Sequence, residues 1–234
     1  MTSSVPAAQP GSTGPRVADL QLRGSTGLLR TRVDWPPSAG GTVPPPLLVF
    51  LPNGRDDGLA CRVARLAGMV VLGVVDARLA RVSDAAALVE ATTVTQWAAD
   101  HAAELHADPQ RVVVAGEGRG AWLAAGVAVQ ARDDGWPPLA RQVLVVPAPS
   151  PRADSAAARL VAPRRAPSLV GVAPATVLAV GGGPRGIELC RYVSRLRRAG
   201  IGVDDPPDHV PVDEVPAHLA STLRRSIGGG GRPA

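Results

Sequence analysis

The side chains that could carry chemistry in this sequence are few and widely separated. Cys61 and Cys190 lack CxxC spacing, so we expect two small buried apolar residues rather than a disulfide or a metal site. His101 and His106 lie five residues apart around the end of a predicted helix, which is a poor spacing for shared metal ligation. The glycine run at 181–183 lacks the Lys-Ser/Thr of a phosphate-binding loop. The sequence therefore predicts no metal and no cofactor.

The composition is that of one globular protein. The 234 residues are enough for one sizeable core, and 45% of them are hydrophobic while 19% are charged. The net charge is +5 and all 25 basic residues are arginine, but they are interleaved with acids and form no basic run. We therefore predict a solvated basic surface and no nucleic-acid partner. The excess of Arg, Ala, Gly and Pro is typical of a GC-rich bacterial genome.

The two ends of the sequence are predicted to lie outside the folded domain. Residues 1–15 are rich in Ser, Pro, Ala and Gly and are expected to form a disordered tail, as are the glycine-rich residues 228–234. The N-terminus lacks the basic segment and apolar run of a secretory signal, and no stretch approaches the length of a transmembrane helix. We therefore expect a cytoplasmic protein without membrane contact, with one domain at 16–227.

Hydrophobic periodicity predicts a hairpin followed by alternating buried strands and helices. Strands are predicted at 17–23, 28–35, 47–51, 69–76, 111–115, 142–146, 175–180 and, at an edge, 202–204. Helices are predicted at 59–68, 84–105, 121–131, 187–199 and 216–226, and residues 147–174 are predicted to be a loop with a short helix. This order indicates the α/β class, with a mostly parallel twisted sheet covered by helices on both faces.

Four short motifs occur in a fixed order within these elements. They are Asp76-Ala77-Arg78-Leu79-Ala80 after the fourth strand, Trp97-Ala98-Ala99-Asp100-His101 on the long helix, Asp108-Pro109-Gln110-Arg111 before the fifth strand, and Gly116-Glu117-Gly118-Arg119-Gly120 after it. This series resembles D-Y-R-L-A, W-x-x-x-H, D-P-x-R and G-D-S-A-G of the hormone-sensitive-lipase-like esterases. The resemblance covers roughly residues 17–226. It implies an α/β-hydrolase fold with a serine nucleophile on a strand-to-helix turn.

The catalytic residues that this resemblance implies are absent from the sequence. Acyl transfer by the fold needs a serine, a histidine that accepts its proton and an acid that orients the histidine. By the family's spacing, these three positions fall on Gly118, Asp213 and Gly183. His209 and His218 lie within a few residues of Asp213, so a small insertion or deletion could bring either of them to the histidine position. Glycine at the serine position still permits the positive φ that such a turn requires.

The oxyanion loop H-G-G-G of the family corresponds to residues 51–54, Leu-Pro-Asn-Gly. Pro52 has no N–H to donate, whereas the amides of Asn53, Gly54 and Arg119 could converge on an anion. Arg119 stands where the family has a small residue. Its guanidinium could bind a carboxylate, fill the vacated space or point to solvent.

Three functions remain open on the sequence alone. The favoured one is a pseudoenzyme, a non-catalytic relative of the esterases that binds an unidentified small molecule or protein or forms a homo-oligomer. Its predicted binding residues are Asn53, Gly54, Glu117 and Arg119. The second is a lyase, cyclase or isomerase that uses the anion-binding corner with Glu117 or Asp76 as acid–base groups. The third is an ester hydrolase with a non-standard site. Residues 147–174 are too few for the family's cap, which would leave any site open to water.

Overall fold

A computed structural model describes residues 16–25, 27–37, 42–53, 58–147, 156–162, 164–181, 186–206 and 209–227. The two predicted tails, 1–15 and 228–234, lie outside the described residues. No helix within these ranges is long and apolar enough to cross a bilayer.

The structure is a sheet of eight strands with helices on both faces. The strands are β1 Arg16–Gly24, β2 Gly27–Trp35, β3 Pro46–Leu51, β4 Val70–Val74, β5 Asp108–Glu117, β6 Leu139–Pro147, β7 Ala175–Val180 and β8 Val203–Asp204. The helices include α1 Leu59–Ala67, α2 Asp84–Asp100, α3 Arg119–Asp134, α4 Ile187–Arg198 and α5 Val215–Ile227. A 3₁₀ helix, Ala158–Val161, lies in the described part of the segment between β6 and β7. The predicted α/β class is confirmed.

The strand order across the sheet is β1-β2-β4-β3-β5-β6-β7-β8. The leading hairpin of β1 and β2 is antiparallel and joins the sheet along β4, and the pairs from β4 to β8 are parallel. In a parallel sheet the carboxyl ends of all strands meet at one edge, where the connections to the following helices can carry a site. The turn after β5 therefore lies at this edge.

The core consists of two apolar layers, one on each face of the sheet. The central strands are buried along almost their whole length, because helices cover both faces and leave no polar side. One layer packs under α2, α3 and α4, and the other under α1 and α5. The low aromatic content matches this arrangement, since Val, Leu and Ala fill both layers.

The long second helix ends earlier than its periodicity predicts. The prediction extends to residue 105, but α2 ends at Asp100 with His101 as its C-cap. The His101 ring stacks on Trp97 with ring centroids 4.4 Å apart, and its Nδ1 lies 2.8 Å from the Trp97 carbonyl oxygen. His106 has a left-handed φ of 57°, which ends the run of turns that follows α2 at residues 101–106. Leu105 is still buried, and this is why its apolar side chain matched the helical pattern.

The prediction of two buried cysteines is wrong for Cys190, which is exposed on α4, and Cys61 on α1 is only half-buried. The two cysteines, both within the described residues, form no disulfide. Cys190 is exposed because the amphipathic α4 packs on the core through other positions, namely Leu189, Tyr192, Val193 and Leu196.

The chain's single tyrosine makes a buried polar contact beneath α4. The Tyr192 hydroxyl donates to Oε1 of Gln142 (2.9 Å), and Nε2 of Gln142 donates to the Ala173 carbonyl oxygen (2.8 Å). Both side chains are fully or almost fully buried. Burial raises the pKa of Tyr192 far above its ordinary value of 10.0, because the charged phenolate is disfavoured away from water.

We expect this burial to make the protein lose stability in alkaline solution. The unfolded chain releases the tyrosine proton near pH 10.0 whereas the folded chain retains it. The contribution of Tyr192 to the free energy of unfolding is therefore complete below that pH and falls as the pH rises above it. The chain has no lysine, so few other groups titrate in this range. Urea unfolding between about pH 8 and about pH 11 measures the effect. In Tyr192→Phe the free energy of unfolding should fall less steeply with rising pH. An equal fall in the two proteins would contradict the prediction.

Candidate functional site

A sharp turn at one residue joins the fifth strand to the third helix. β5 ends at Glu117 and α3 begins at Arg119, so Gly118 alone makes the turn. Its backbone has φ 54° and ψ −117°, a combination that residues with a Cβ adopt only under strain. The Gly118 N–H donates to the Val145 carbonyl oxygen (2.8 Å), and the Gly118 carbonyl accepts from the Ala121 N–H (3.1 Å). This is the geometry of a nucleophile elbow, with glycine at the nucleophile position.

The two glycines that flank this elbow are required by close backbone packing. A Cβ at Gly116 would overlap the backbone carbonyl of Gly120. A Cβ at Gly120 would overlap the carbonyl oxygen of Leu51, at the end of β3. Both obstacles are backbone atoms, which cannot move aside as a side chain can. The elbow therefore keeps the tight strand–helix approach of its fold although it holds no nucleophile.

The side chain of Asn53 lies where a nucleophile side chain would be. A Cβ added at Gly118 would be 2.7 Å from Nδ2 and 2.8 Å from Cγ of Asn53. Oδ1 of Asn53 accepts a long hydrogen bond of 3.4 Å from the Arg119 N–H. In an active hydrolase, the amide after the nucleophile donates to the oxyanion. The Asn53 carboxamide thus covers Gly118 and engages the amide that would otherwise face a substrate oxygen.

The guanidinium of Arg119 points away from this corner and holds the start of α2. Its Nε donates to Oδ1 of Asp84 at 2.8 Å, its Nη1 to the Leu79 carbonyl oxygen at 2.5 Å, and its Nη2 to the Val82 carbonyl oxygen at 2.9 Å. The Arg119 side chain is only 15% exposed. The carboxylate that it binds is therefore one of the protein's own. Only the Arg119 backbone N–H remains beside Gly118.

The predicted position of the triad histidine lies beyond the carboxyl end of β7. The chain returns to the sheet at Val210, which pairs with Val180. Asp213 follows three residues later in a 3₁₀ helix, Val212–Glu214, and its side chain is exposed. The predicted acid position, Gly183, and the predicted binding residue Gly54 lie outside the described residues.

The two histidines near Asp213 lie in different parts of the fold. His209 directly precedes Val210, and its buried Nε2 has no hydrogen-bond partner within the part of the chain that the structure describes. His218 lies on α5 and lines a polar hollow with Arg141 and Thr176, near the amino ends of β6 and β7. His218 therefore faces the edge opposite Gly118, and His209 is the one on the carboxyl side.

The lyase hypothesis offers Glu117 or Asp76 as its acid–base group, and the two lie at different strands. Glu117 is half-buried at the end of β5, and Asp76 follows β4 and accepts the Arg30 N–H at 3.3 Å. β3 lies between β4 and β5, which puts the two backbones about 10 Å apart. The structure thus brings Asn53, Gly118 and Arg119 together but not Asp76.

Two contacts of this corner had no signal in the sequence. Ser83 caps α2, because its Oγ accepts the Ala86 N–H (3.3 Å). An acidic residue directly after the cap is favoured by the helix N-terminus, so Asp84 gave no indication of a further partner. Its pairing with Arg119 spans 35 residues. The Asn53 carboxamide, which lies over Gly118, is farther away still, since its contact with the Arg119 N–H spans 66 residues. Among the described residues, no group of three His, Cys, Asp or Glu is placed to hold a metal.

Comparisons with known proteins agree with this geometry. Residues 52–169 match the model of a family with the alpha/beta hydrolase fold. Esterase LipI of Mycobacterium tuberculosis is 30% identical over 84% of this chain and 73% of its own length. The carboxylic ester hydrolase LipN of the same organism is 32% identical over 80% of this chain. The matched region covers only 61% of LipN.

Solved structures show the same fold. The crystal structure of DphMB1 superposes with a TM-score of 0.70 at 27% identity, covering 92% of this chain and 85% of the other. A bacterial heroin esterase superposes with a TM-score of 0.73 over the same shares. Its identity is only 20%, so it is evidence for the fold alone.

Proposed function

Because this chain belongs to the α/β-hydrolase fold family, among the hormone-sensitive-lipase-like carboxylesterases, we propose that it is a non-hydrolytic member that binds a ligand or a partner protein. The observation that carries the proposal is Gly118 at the elbow. An acyl-enzyme needs a side-chain oxygen or sulfur at this point, and glycine has neither.

Neither Asn53 nor Arg119, the two described side chains next to Gly118, supplies a replacement nucleophile. Asn53, which covers Gly118, carries a neutral carboxamide that is a poor nucleophile and no base. The Arg119 guanidinium is a hydrogen-bond donor without an acceptor lone pair, and it is bound by Asp84 and two carbonyls. Among the described residues, Asn53, Gly118 and Arg119 therefore retain hydrogen-bonding groups but none that attacks a carbonyl carbon.

The retained groups favour an oxygen-bearing ligand at the carboxyl edge of the sheet. The hydrogen bond from the Arg119 N–H to Asn53 is long at 3.4 Å, and the Asn53 side chain is exposed. A carboxylate or carbonyl oxygen could displace it at little cost, because a long bond to a solvated amide contributes little. Gly54 and Glu117 complete the predicted binding set, with Gly54 outside the described residues.

The test is hydrolysis of short-chain p-nitrophenyl esters by the purified chain, with and without a serine-reactive phosphonate. We expect turnover no faster than buffer and no phosphonate adduct in the intact mass. An active family esterase treated in the same way is the control that shows that substrate and reagent are competent. Turnover with a mapped adduct would overturn the proposal and would identify the nucleophile. Melting-temperature shifts with small carboxylates then test for the ligand.

A further inference from the structure

An open groove lies between α4 and the 3₁₀ helix Ala158–Val161, and it encloses about 530 Å³. The apolar residues that line it are Ala158, Val161 and Ala162 on one side and Ile187 and Tyr192 on the other. Ala158, Val161 and Tyr192 are nearly buried and form its floor, whereas Ala162 and Ile187 are accessible. Ile187, in the first turn of α4, is 64% exposed. The volume is in the range of small-molecule sites.

The rim of the groove is basic. Three arginines and one glutamate line it, namely Arg191, Arg195, Arg198 and Glu188. Arg195 donates to the carbonyl oxygens of Val161 and Ala166, so it joins the two walls and is not available to a ligand. Arg191 pairs with Glu188 at 2.9 Å but is 64% exposed.

Arg198 is the rim cation that is free to bind. It is exposed at the end of α4, and the structure gives it no hydrogen bond or ion pair within the described ranges. A guanidinium in this state offers a carboxylate two parallel N–H groups. Because it stands at the end of an apolar groove, it favours a ligand with one anionic group and one apolar chain.

We infer that this groove binds an amphiphilic carboxylate, with the apolar chain along Ile187 and Val161 and the carboxylate on Arg198. Arg191 adds a second positive charge at the rim. A neutral chain would leave the Arg198 guanidinium without a partner, and a cationic one would be repelled. The inference goes beyond the proposed function, since the groove-lining residues belong to α4 and the 3₁₀ helix and not to the elbow.

Cys190 provides a reporter, because its exposed thiol lines the groove. In a Cys61→Ser background it is the one remaining cysteine, and the neutral reagent N-ethylmaleimide measures its accessibility without sensing the arginines. The experiment follows the rate of adduct formation by intact mass while dodecanoate is raised below its micellar concentration. Dodecyltrimethylammonium is the chain-matched control of opposite charge.

We expect saturating dodecanoate to slow modification of Cys190 by about fivefold or more and the cationic amphiphile to have little effect. Arg198→Gln should weaken binding about tenfold, since it removes a charge-assisted contact. Ile187→Ser should also weaken it, through the lost apolar contact. Arg65→Gln is the matched control, an exposed arginine on α1 outside the groove, and should change nothing.

Three results would overturn the inference. They are no protection up to the micellar limit, equal protection by the cation, and unchanged affinity in Arg198→Gln. Loss of helical circular dichroism at the protecting concentration would also count against it, because unfolding rather than occupancy would then alter the thiol. The ester and phosphonate assay does not involve Cys190, so failure of the proposed function would be seen separately.

Discussion

Replacing Gly120 by alanine should lower the free energy of unfolding by about 3 kcal/mol or more. The added Cβ would overlap the Leu51 carbonyl oxygen and lie 2.8 Å from its carbonyl carbon and 3.1 Å from the Pro52 carbonyl oxygen. All three obstacles belong to the backbone at the end of β3. Relief therefore needs a shift of either β3 or the first turn of α3, and both are packed in the core.

Gly202→Ala is the matched control for this variant. Gly202 does not have a left-handed φ, and a Cβ there would meet no heavy atom within 4 Å. We expect its stability to stay within about 0.5 kcal/mol of the unmodified chain or to rise slightly. Urea unfolding followed by circular dichroism measures both variants. A cost for Gly120→Ala no larger than that of the control would show that the elbow is looser than the structure indicates.

Replacing Gly118 by serine should cost less, about 2 kcal/mol, and should not produce an esterase. The cost comes from φ 54° and ψ −117°, which a residue with a Cβ tolerates only under strain. The clash with Asn53 is cheap to relieve, because that carboxamide is exposed and its hydrogen bond to the Arg119 N–H is long at 3.4 Å. Turnover should stay at background if our prediction holds that Gly183 and Asp213 occupy the acid and base positions.

Two measurements check this second prediction. Unfolding of Gly118→Ser in an Asn53→Ala background separates the cost of backbone strain from the cost of the clash with Asn53. Only the clash disappears when the carboxamide is removed. Activity on p-nitrophenyl esters tests the chemistry. Turnover in Gly118→Ser alone would contradict the expectation and would indicate that a base, with His209 the nearest candidate at this edge, stands within reach of the introduced serine.

The substitution of arginine at 119 shows how the elbow is used without a nucleophile. Its guanidinium satisfies two carbonyls before α2 and pairs with Asp84 at the start of that helix. Because the side chain is largely buried, these hydrogen bonds stabilise the connection between β4 and α2 more than a surface ion pair would. A residue beside the former nucleophile thus supports structure where the family's pattern has a small residue.

The sequence by itself determined the architecture and the place of glycine at the turn after β5. Continuous apolar runs such as 175–180 predicted buried strands with nearly the right ends, because a strand covered on both faces excludes polar residues at every position. The order of the motifs placed Gly118 at the turn after β5, and the structure has the turn there. Those inferences depend only on neighbours along the chain.

Only the tertiary structure decided what surrounds Gly118 and what lies outside the core. Asn53 and Asp84 reach the elbow from other elements, and His218 proves to face the opposite edge while His209 stays on the same side. The exposed thiol of Cys190 and its basic groove depend on how α4 is rotated against the sheet. Periodicity tells which face of a helix is buried but not which residues meet it, because partners far apart in sequence are selected by packing of the whole fold.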